Sequence, residues 1–325
     1  IEEALTSNKS IFKVWDNAGP VIEPLPARMQ AGLSAFVNIM YGCNNFCSYC
    51  IVPYTRGRER SRLPEHIIEE IKQLSKQGYK EITLLGQNVN SYGRGLEVPV
   101  DFADLLKMVA DNSEGIERIR FTTSHPKDVS DKLLDTIAEG GKICEHIHVA
   151  LQSGSDKILE RMNRKYTREH YLDLTKKMRD KIPGVAISTD IIVGFPGETD
   201  EDFEQTLDMV EKVKFDAAYT FMYSPRSGTR AAEFDNHIPL NVKKERLAHL
   251  MDVQYEIAAK INKSLEGKVE EVLVEGPSKT DKEKLTSRTR TNRIVIFSGP
   301  NSLIGQLINV RITEGKTFSL FGEYN

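Results

Sequence analysis

Tyr41-Gly42-Cys43-Asn44-Asn45-Phe46-Cys47-Ser48-Tyr49-Cys50 sets three of the chain's four cysteines within eight residues, directly after the apolar run 35–40. Three clustered thiols cannot all pair off as disulfides, and the fourth, Cys144, stands alone. Thiolates are soft ligands suited to iron–sulfur clusters or to zinc. A structural zinc is closed by four ligands, so that reading needs a further donor such as His66, His125 or His148. Three thiolates on a four-iron cube leave one iron without a protein ligand and open to chemistry.

Outward from this loop, short β-branched runs alternate with amphipathic segments, the pattern of βα units around a parallel sheet. Six strands are expected, at 35–40, 81–86, 118–123, 146–152, 186–195 and 217–223. Helices are expected at 64–77, where Ile67, Ile68, Ile71 and Leu74 recur at helical spacing, and at 201–213, where Phe203, Leu207 and Val210 do. Pro64 suits a first helical turn and Gly78 a C-terminal cap. A longer helix at about 242–264 leads out of the repeating part. Beyond Lys268 the apolar runs 272–274, 294–297, 307–312 and 318–321 are separated by Gly276-Pro277, Gly299-Pro300 and Gly315, which reads as a small all-β barrel. Residues 1–32, with Gly19-Pro20, Pro24 and Pro26, read as a linker, leaving an α/β domain at 33–262 and the β module at 263–325.

At 325 residues and 39% hydrophobic, the chain suits one large domain plus a small one. A net charge of −3 excludes a purely electrostatic nucleic-acid binder, so any basic surface must be local. No apolar run approaches the ~18 residues of a membrane helix and no basic-then-apolar segment opens the sequence. The expectation is a cytoplasmic monomer in a reducing compartment, with no membrane partner.

In barrels of parallel strands, reactive groups gather at the C-terminal strand ends, where the cysteine loop also leaves its strand. After the second strand comes Gly86-Gln87-Asn88, where glycine lets the backbone approach a ligand. The third ends in Thr122-Thr123-Ser124-His125-Pro126, and the fourth in Leu151-Gln152-Ser153-Gly154-Ser155 with Arg164 beyond it. Polar clusters here are candidates for ribose hydroxyls, and the arginine for a carboxylate. Asp190 within an otherwise apolar fifth strand is costly unless something pairs with it. Glu198 reads as a helix-start residue, with Thr199 and Asp200 placed for an N-cap.

The cysteine spacing, with an aromatic residue before the last cysteine, resembles the cluster motif of the radical S-adenosylmethionine superfamily. That resemblance implies an incomplete (βα)6 TIM-type barrel and a [4Fe-4S] cluster on Cys43, Cys47 and Cys50. Its open iron would chelate S-adenosylmethionine, whose reductive cleavage gives a 5′-deoxyadenosyl radical. The cofactor-binding residues it implies are Gly86, Gln87, Thr123, Ser124, Gln152, Ser153, Arg164 and Asp190, with the 192–194 backbone flanking the adenine. Together with Val52-Pro53-Tyr54-Thr55-Arg56-Gly57-Arg58-Glu59-Arg60-Ser61 and the Tyr223-Ser224-Pro225-Arg226-Ser227-Gly228-Thr229 loop, these segments look like the methylthiotransferases. They are most similar to those that act at C2 of N6-isopentenyladenosine beside the tRNA anticodon. The Thr-Thr-Ser-His-Pro segment speaks against the relative that modifies a ribosomal protein. The C-terminal module resembles a TRAM domain, a small RNA-binding barrel.

Local charge is compatible with an RNA partner. Residues 56–62 carry net +3 and residues 278–293 net +4, so Arg56, Arg58, Arg60, Arg226, Arg288, Arg290 and Arg293 are candidate contacts to the anticodon arm. A solvated charged face is the bland alternative for either patch. The resemblance also implies a reducing electron donor and an auxiliary iron–sulfur cluster held by three further cysteines of an N-terminal domain. Only Cys144 remains here, and it reads as a core residue. With Ile1 in first position, the expectation is that this domain is missing and that sulfur transfer is incomplete in these residues alone. Rival readings are a methylthiotransferase for threonylcarbamoyladenosine in tRNA, or a non-catalytic iron–sulfur protein that binds RNA.

Overall fold

A computed structural model describes residues 32–279 and 281–324, so the linker expected at 1–32 lies outside the described residues but for its last position. The first domain runs β1 (Ser34–Asn38), β2 (Met40–Tyr41), α1 (Val52–Thr55), β3 (Arg60–Ser61), α2 (Pro64–Lys76), β4 (Glu81–Leu85), α3 (Phe102–Asn112) and β5 (Arg118–Thr122). It continues α4 (Asp131–Ala138), β6 (His146–His148), α5 (Asp156–Arg161), α6 (Arg168–Lys181), β7 (Ala186–Val193), α7 (Asp200–Val213), β8 (Ala217–Met222) and α8 (Leu240–Lys263). Parallel ladders join β1-β4-β5 and β6-β7-β8. Parallel bridges from Ile119 to Ile143 and from Ser124 to Val149 connect the two sheets. The six strands therefore follow chain order, and β1 and β8 form no ladder with each other. This is the expected incomplete (βα)6 barrel, open along one side among the described residues.

Alternation along the strands decides which side chains meet the helices. Val37, Leu84 and Phe121 lie in register on the outer face and are buried, as are Ile147 and Ile187. Phe36, Thr83 and Arg120 lie in register on the inner face. Helix α2 buries Ile67, Ile71 and Leu74 on one stripe, roughly 1.5–3 kcal/mol each. Pro64 sits in its first turn, and Gly78 follows the last turn with φ +90°. Helix α7 starts at Thr199, whose hydroxyl accepts from Asp202 N while the Asp202 carboxylate accepts from Thr199 N.

The C-terminal module is a closed barrel of five strands in the order β10-β11-β13-β12-β9. Its members are β9 (Val269–Pro277), β10 (Lys284–Thr289), β11 (Ile294–Ser298), β12 (Leu307–Gly315) and β13 (Leu320–Glu323). Strand β10 falls within the stretch read above as a basic patch. Its buried positions are Leu285, Ser287 and Thr289, two of them polar, which is why no apolar run announces it. No helix among the described residues is long and apolar enough to cross a membrane.

Candidate iron–sulfur and cofactor site

The cysteine loop leaves the top of β2 and is pinned on two sides. Gly42, at φ +75°, lets the chain pass where a Cβ would lie 2.1 Å from Arg58 O, and Cys43 N donates to Gly57 O at 3.1 Å. Opposite, Ser48 N donates to Met162 O at 3.0 Å and Asn163 Nδ2 to Phe46 O at 2.8 Å. Cys43 and Cys47 are buried and Cys50 half-buried. Burial pushes the Cys43 and Cys50 thiols up from their ordinary value, so loading iron must displace protons.

All three cysteines line one cavity of about 200 Å³. Seven of the eight expected cofactor residues share it: Gly86, Gln87, Thr123, Ser124, Gln152, Arg164 and Asp190. Ser153 does not. It is fully buried, and its hydroxyl accepts from Ser155 N at 3.3 Å, so it shapes the turn before α5 instead of facing a ligand. The 192–194 backbone is also partly committed, because Gly194 N donates to Glu198 Oε1 at 2.8 Å. Tyr49, His125 and Ala150 line the cavity as well.

The donor set fits a cluster with a small-molecule cofactor beside it. Among the described residues no three His, Cys, Asp or Glu side chains converge tightly enough for a single ion. A lone tetrahedral ion needs its donors about 2.3 Å from one centre, whereas a cube takes each thiolate on a different iron. Gln152 adopts φ 67°, and its Oε1 is buried without a partner among the described residues, an acceptor left for a donor in the cavity. Arg164 donates to Ala150 O at 2.9 Å and to Tyr166 Oη at 3.1 Å, and its Nη1 lies 3.3 Å from Cys47 Sγ. Its planar cation thus stands between the cysteine loop and the end of β6, where a carboxylate or a thiolate would be met. Burial first, then Arg164 and Lys127, push His125 down to about 2, so its imidazole is neutral at ordinary pH. Below the cavity, Asp190 Oδ2 is 3.2 Å from His148 Nε2, and His148 Nδ1 is 3.0 Å from Ser188 Oγ.

The arginines divide into two groups. Arg56, Arg58 and Arg226 are exposed on the cysteine-loop side, and Arg60 is half-buried beside them, with Nη2 3.4 Å from Arg56 O. Arg58 lies over the Phe46 ring at 4.5 Å. Arg288, Arg290 and Arg293 are instead ion-paired with Glu275, Glu145 and Asp216, the last two across the contact between the domains. The sequence count of +4 missed these acidic partners, because Glu275 lies just before the counted stretch and Glu145 and Asp216 are distant in the chain.

A radical SAM superfamily profile matches residues 37–210 and a TRAM domain profile residues 263–324. Among solved structures, the fold is similar to the radical S-adenosylmethionine methyltransferase TsrM from Kitasatospora setae, with a TM-score of 0.52 and 18% identity over 62% of this chain and 39% of that one. It is also similar to coproporphyrinogen III oxidase from Escherichia coli, with a TM-score of 0.50 and 16% identity over 82% and 68%. The fold, the profile and the cavity together define a radical SAM protein carrying a TRAM domain.

Sequence relatives narrow the class. The chain is 66% identical to the tRNA-2-methylthio-N(6)-dimethylallyladenosine synthase of Syntrophomonas wolfei over 323 residues, 99% of this chain and 72% of that protein. It is 53% identical to the enzyme of that name from Carboxydothermus hydrogenoformans, covering 99% and 73%. The chain belongs to the family of these tRNA-2-methylthio-N(6)-dimethylallyladenosine synthases.

Proposed function

We propose that the chain acts in methylthiolation of C2 of N6-dimethylallyladenosine beside the tRNA anticodon, with Cys43, Cys47 and Cys50 holding a [4Fe-4S] cluster and S-adenosylmethionine bound next to it. The observation that carries this is the cavity shared by the three cysteines and by Gln152, Arg164 and Asp190. When bound, the cluster and cofactor supply one-electron, hydrogen-abstracting chemistry that amino-acid side chains lack. The chain's own residues bind and orient. Arg164 offers a fixed guanidinium to a carboxylate, and Gln152 Oε1 and Asp190 accept from hydroxyl or amino groups; Gly86 lines the cavity, and its missing Cβ makes room for the Met40 side chain instead of for a ligand. Half-buried Tyr49 and buried Tyr166 help keep water from the inner side. Exposed Arg56, Arg58 and Arg226 suit phosphates of the anticodon arm, whereas the arginines paired between the domains do not. An external one-electron donor is required, and the protein works in the cytoplasm.

Anaerobic reconstitution tests this reading. We expect about four iron and four sulfide on these three cysteines, and 5′-deoxyadenosine on reduction with S-adenosylmethionine. Cys47→Ala should abolish both, and 5′-deoxyadenosine production at the wild-type rate by that variant would refute the assignment.

A further inference from the structure

The sheet stops at β8 and leaves two aromatic rings facing the open side of the barrel. On this strand Ala218 and Met222 pack into the core, while Tyr219 and Phe221 point the other way and are 55% and 52% exposed. Rings of this kind each cover about 150–250 Å² when buried, so two on an inner face left uncovered by the described residues form a surface that a ligand would complete. They do not line the cofactor cavity themselves but stand on the strand next to the one that carries its lining residue Asp190. Tyr219 is in register with Asp190 and Phe221 with Ile192. The Tyr219 ring lies 5.8 Å from that of His148, which contacts Asp190 in the cavity lining. The inner-face cations are already committed: Arg118 to Glu271, and Arg120 to Glu81 and to the carbonyls of Thr289 and Arg290.

We infer that Tyr219 and Phe221 receive the apolar N6 substituent of the adenine whose C2 reacts. This rests on the function proposed above and names its specificity-determining residues. C2 and C6 of adenine share one six-membered ring with a single nitrogen between them. A base held with C2 at the cavity therefore carries its N6 group within reach of the next strand, since neighbouring strands lie only about 4.8 Å apart. A branched dimethylallyl group loses only hydrocarbon hydration between two rings. A substituent ending in a carboxylate would lose ionic hydration there and meet arginines that are already paired.

The test compares two anticodon stem-loop RNAs, one with dimethylallyladenosine and one with plain adenosine at the target position, bound anaerobically to the reconstituted chain. Wild type should prefer the first by about tenfold or more. The double variant Tyr219→Ala/Phe221→Ala should bind both RNAs alike, with affinity for plain RNA within about twofold of wild type. The double variant Tyr219→Phe/Phe221→Leu should keep the preference. Iron and sulfide content reports that each variant holds its cluster; should the double alanine variant lose it, Phe221→Ala alone carries the test, with the preference expected to fall by at least about threefold. A preference that persists after truncation, or that is absent in wild type, overturns the inference while RNA binding leaves the proposed function standing. Failure of wild type to bind either RNA overturns both.

Discussion

Arg164 shows what the site asks of a single side chain. It is 8% exposed, and its nitrogens serve Ala150 O, Tyr166 Oη and Cys47 Sγ in three directions. A lysine carries the same charge but presents it at one point and cannot span that fork. Arg164→Lys is therefore expected to reduce 5′-deoxyadenosine formation at least about tenfold while the cluster still loads, a split read by product chromatography beside iron analysis. An unchanged rate would remove Arg164 from the cofactor. His146 makes the corresponding case for stability. Burial, then Arg120 and His148, push it down to about 3, while the unfolded chain titrates near 6.5. Between these values the unfolded state binds the extra proton, so stability rises with pH across the window. This contribution is full above about pH 6.5 and is lost as pH falls toward 3, by up to about 1.4 kcal/mol per pH unit. Anaerobic urea melts at pH 7.5 and 5.5 should show a larger loss for wild type than for His146→Gln; equal losses would disprove it.

Among the elements, the turn between β7 and α7 is held by a buried ion pair. Glu198 and Arg246 are 1% and 7% exposed and pair at 2.8 Å, and Glu198 also accepts from Gly194 N at the end of β7. The pair ties helix α8 to the strand that carries Asp190. Arg246→Ala leaves Glu198 buried and uncompensated, which costs about 3–5 kcal/mol in a denaturant melt. Arg246→Met with Glu198→Gln should recover much of that loss, and no recovery would show that the charge itself is not what the turn needs. Only the helix-start position of Glu198 could be read in advance, because Arg246 is 48 residues away. The same limit applies across the fold. All six barrel strands were legible from β-branched runs, with ends shifted by a few residues: β6 stops at His148, and its expected continuation to 152 makes only isolated bridges at Val149 and Gln152. The cysteines and most of the cavity were legible because they follow directly on strands. Tyr166 and Asn163 were not marked as part of the site. They act through burial and contacts made across the chain, and the spacing of any one segment carries no trace of these.

At the scale of the whole molecule, the small barrel forms the floor of the large one. Its 289–293 turn lies against the N-terminal ends of the strands, with the cofactor cavity at their other end. Arg118 is fully buried and donates to Arg288 O and Glu271. Arg120 donates to Thr289 O at 2.7 Å and to Arg290 O at 2.8 Å. In return Arg290 grips both oxygens of Glu145 at 2.8 and 2.7 Å, and Arg293 pairs with Asp216. A buried guanidinium stripped of its acceptors costs several kcal/mol, so neither unit can unfold without penalising the other. Calorimetry of wild type should therefore show one cooperative transition across both domains. Arg290→Ala removes the bidentate pair and leaves Glu145 without its counter-charge, at a cost of about 2–5 kcal/mol. The transition should then fall in temperature and broaden or split as the domains uncouple. Lys282→Ala, an exposed site on the small barrel, should change stability by less than about 0.5 kcal/mol. Two transitions in wild type, or an unchanged endotherm for Arg290→Ala, would mean that the small barrel is tethered to the large one without bracing it.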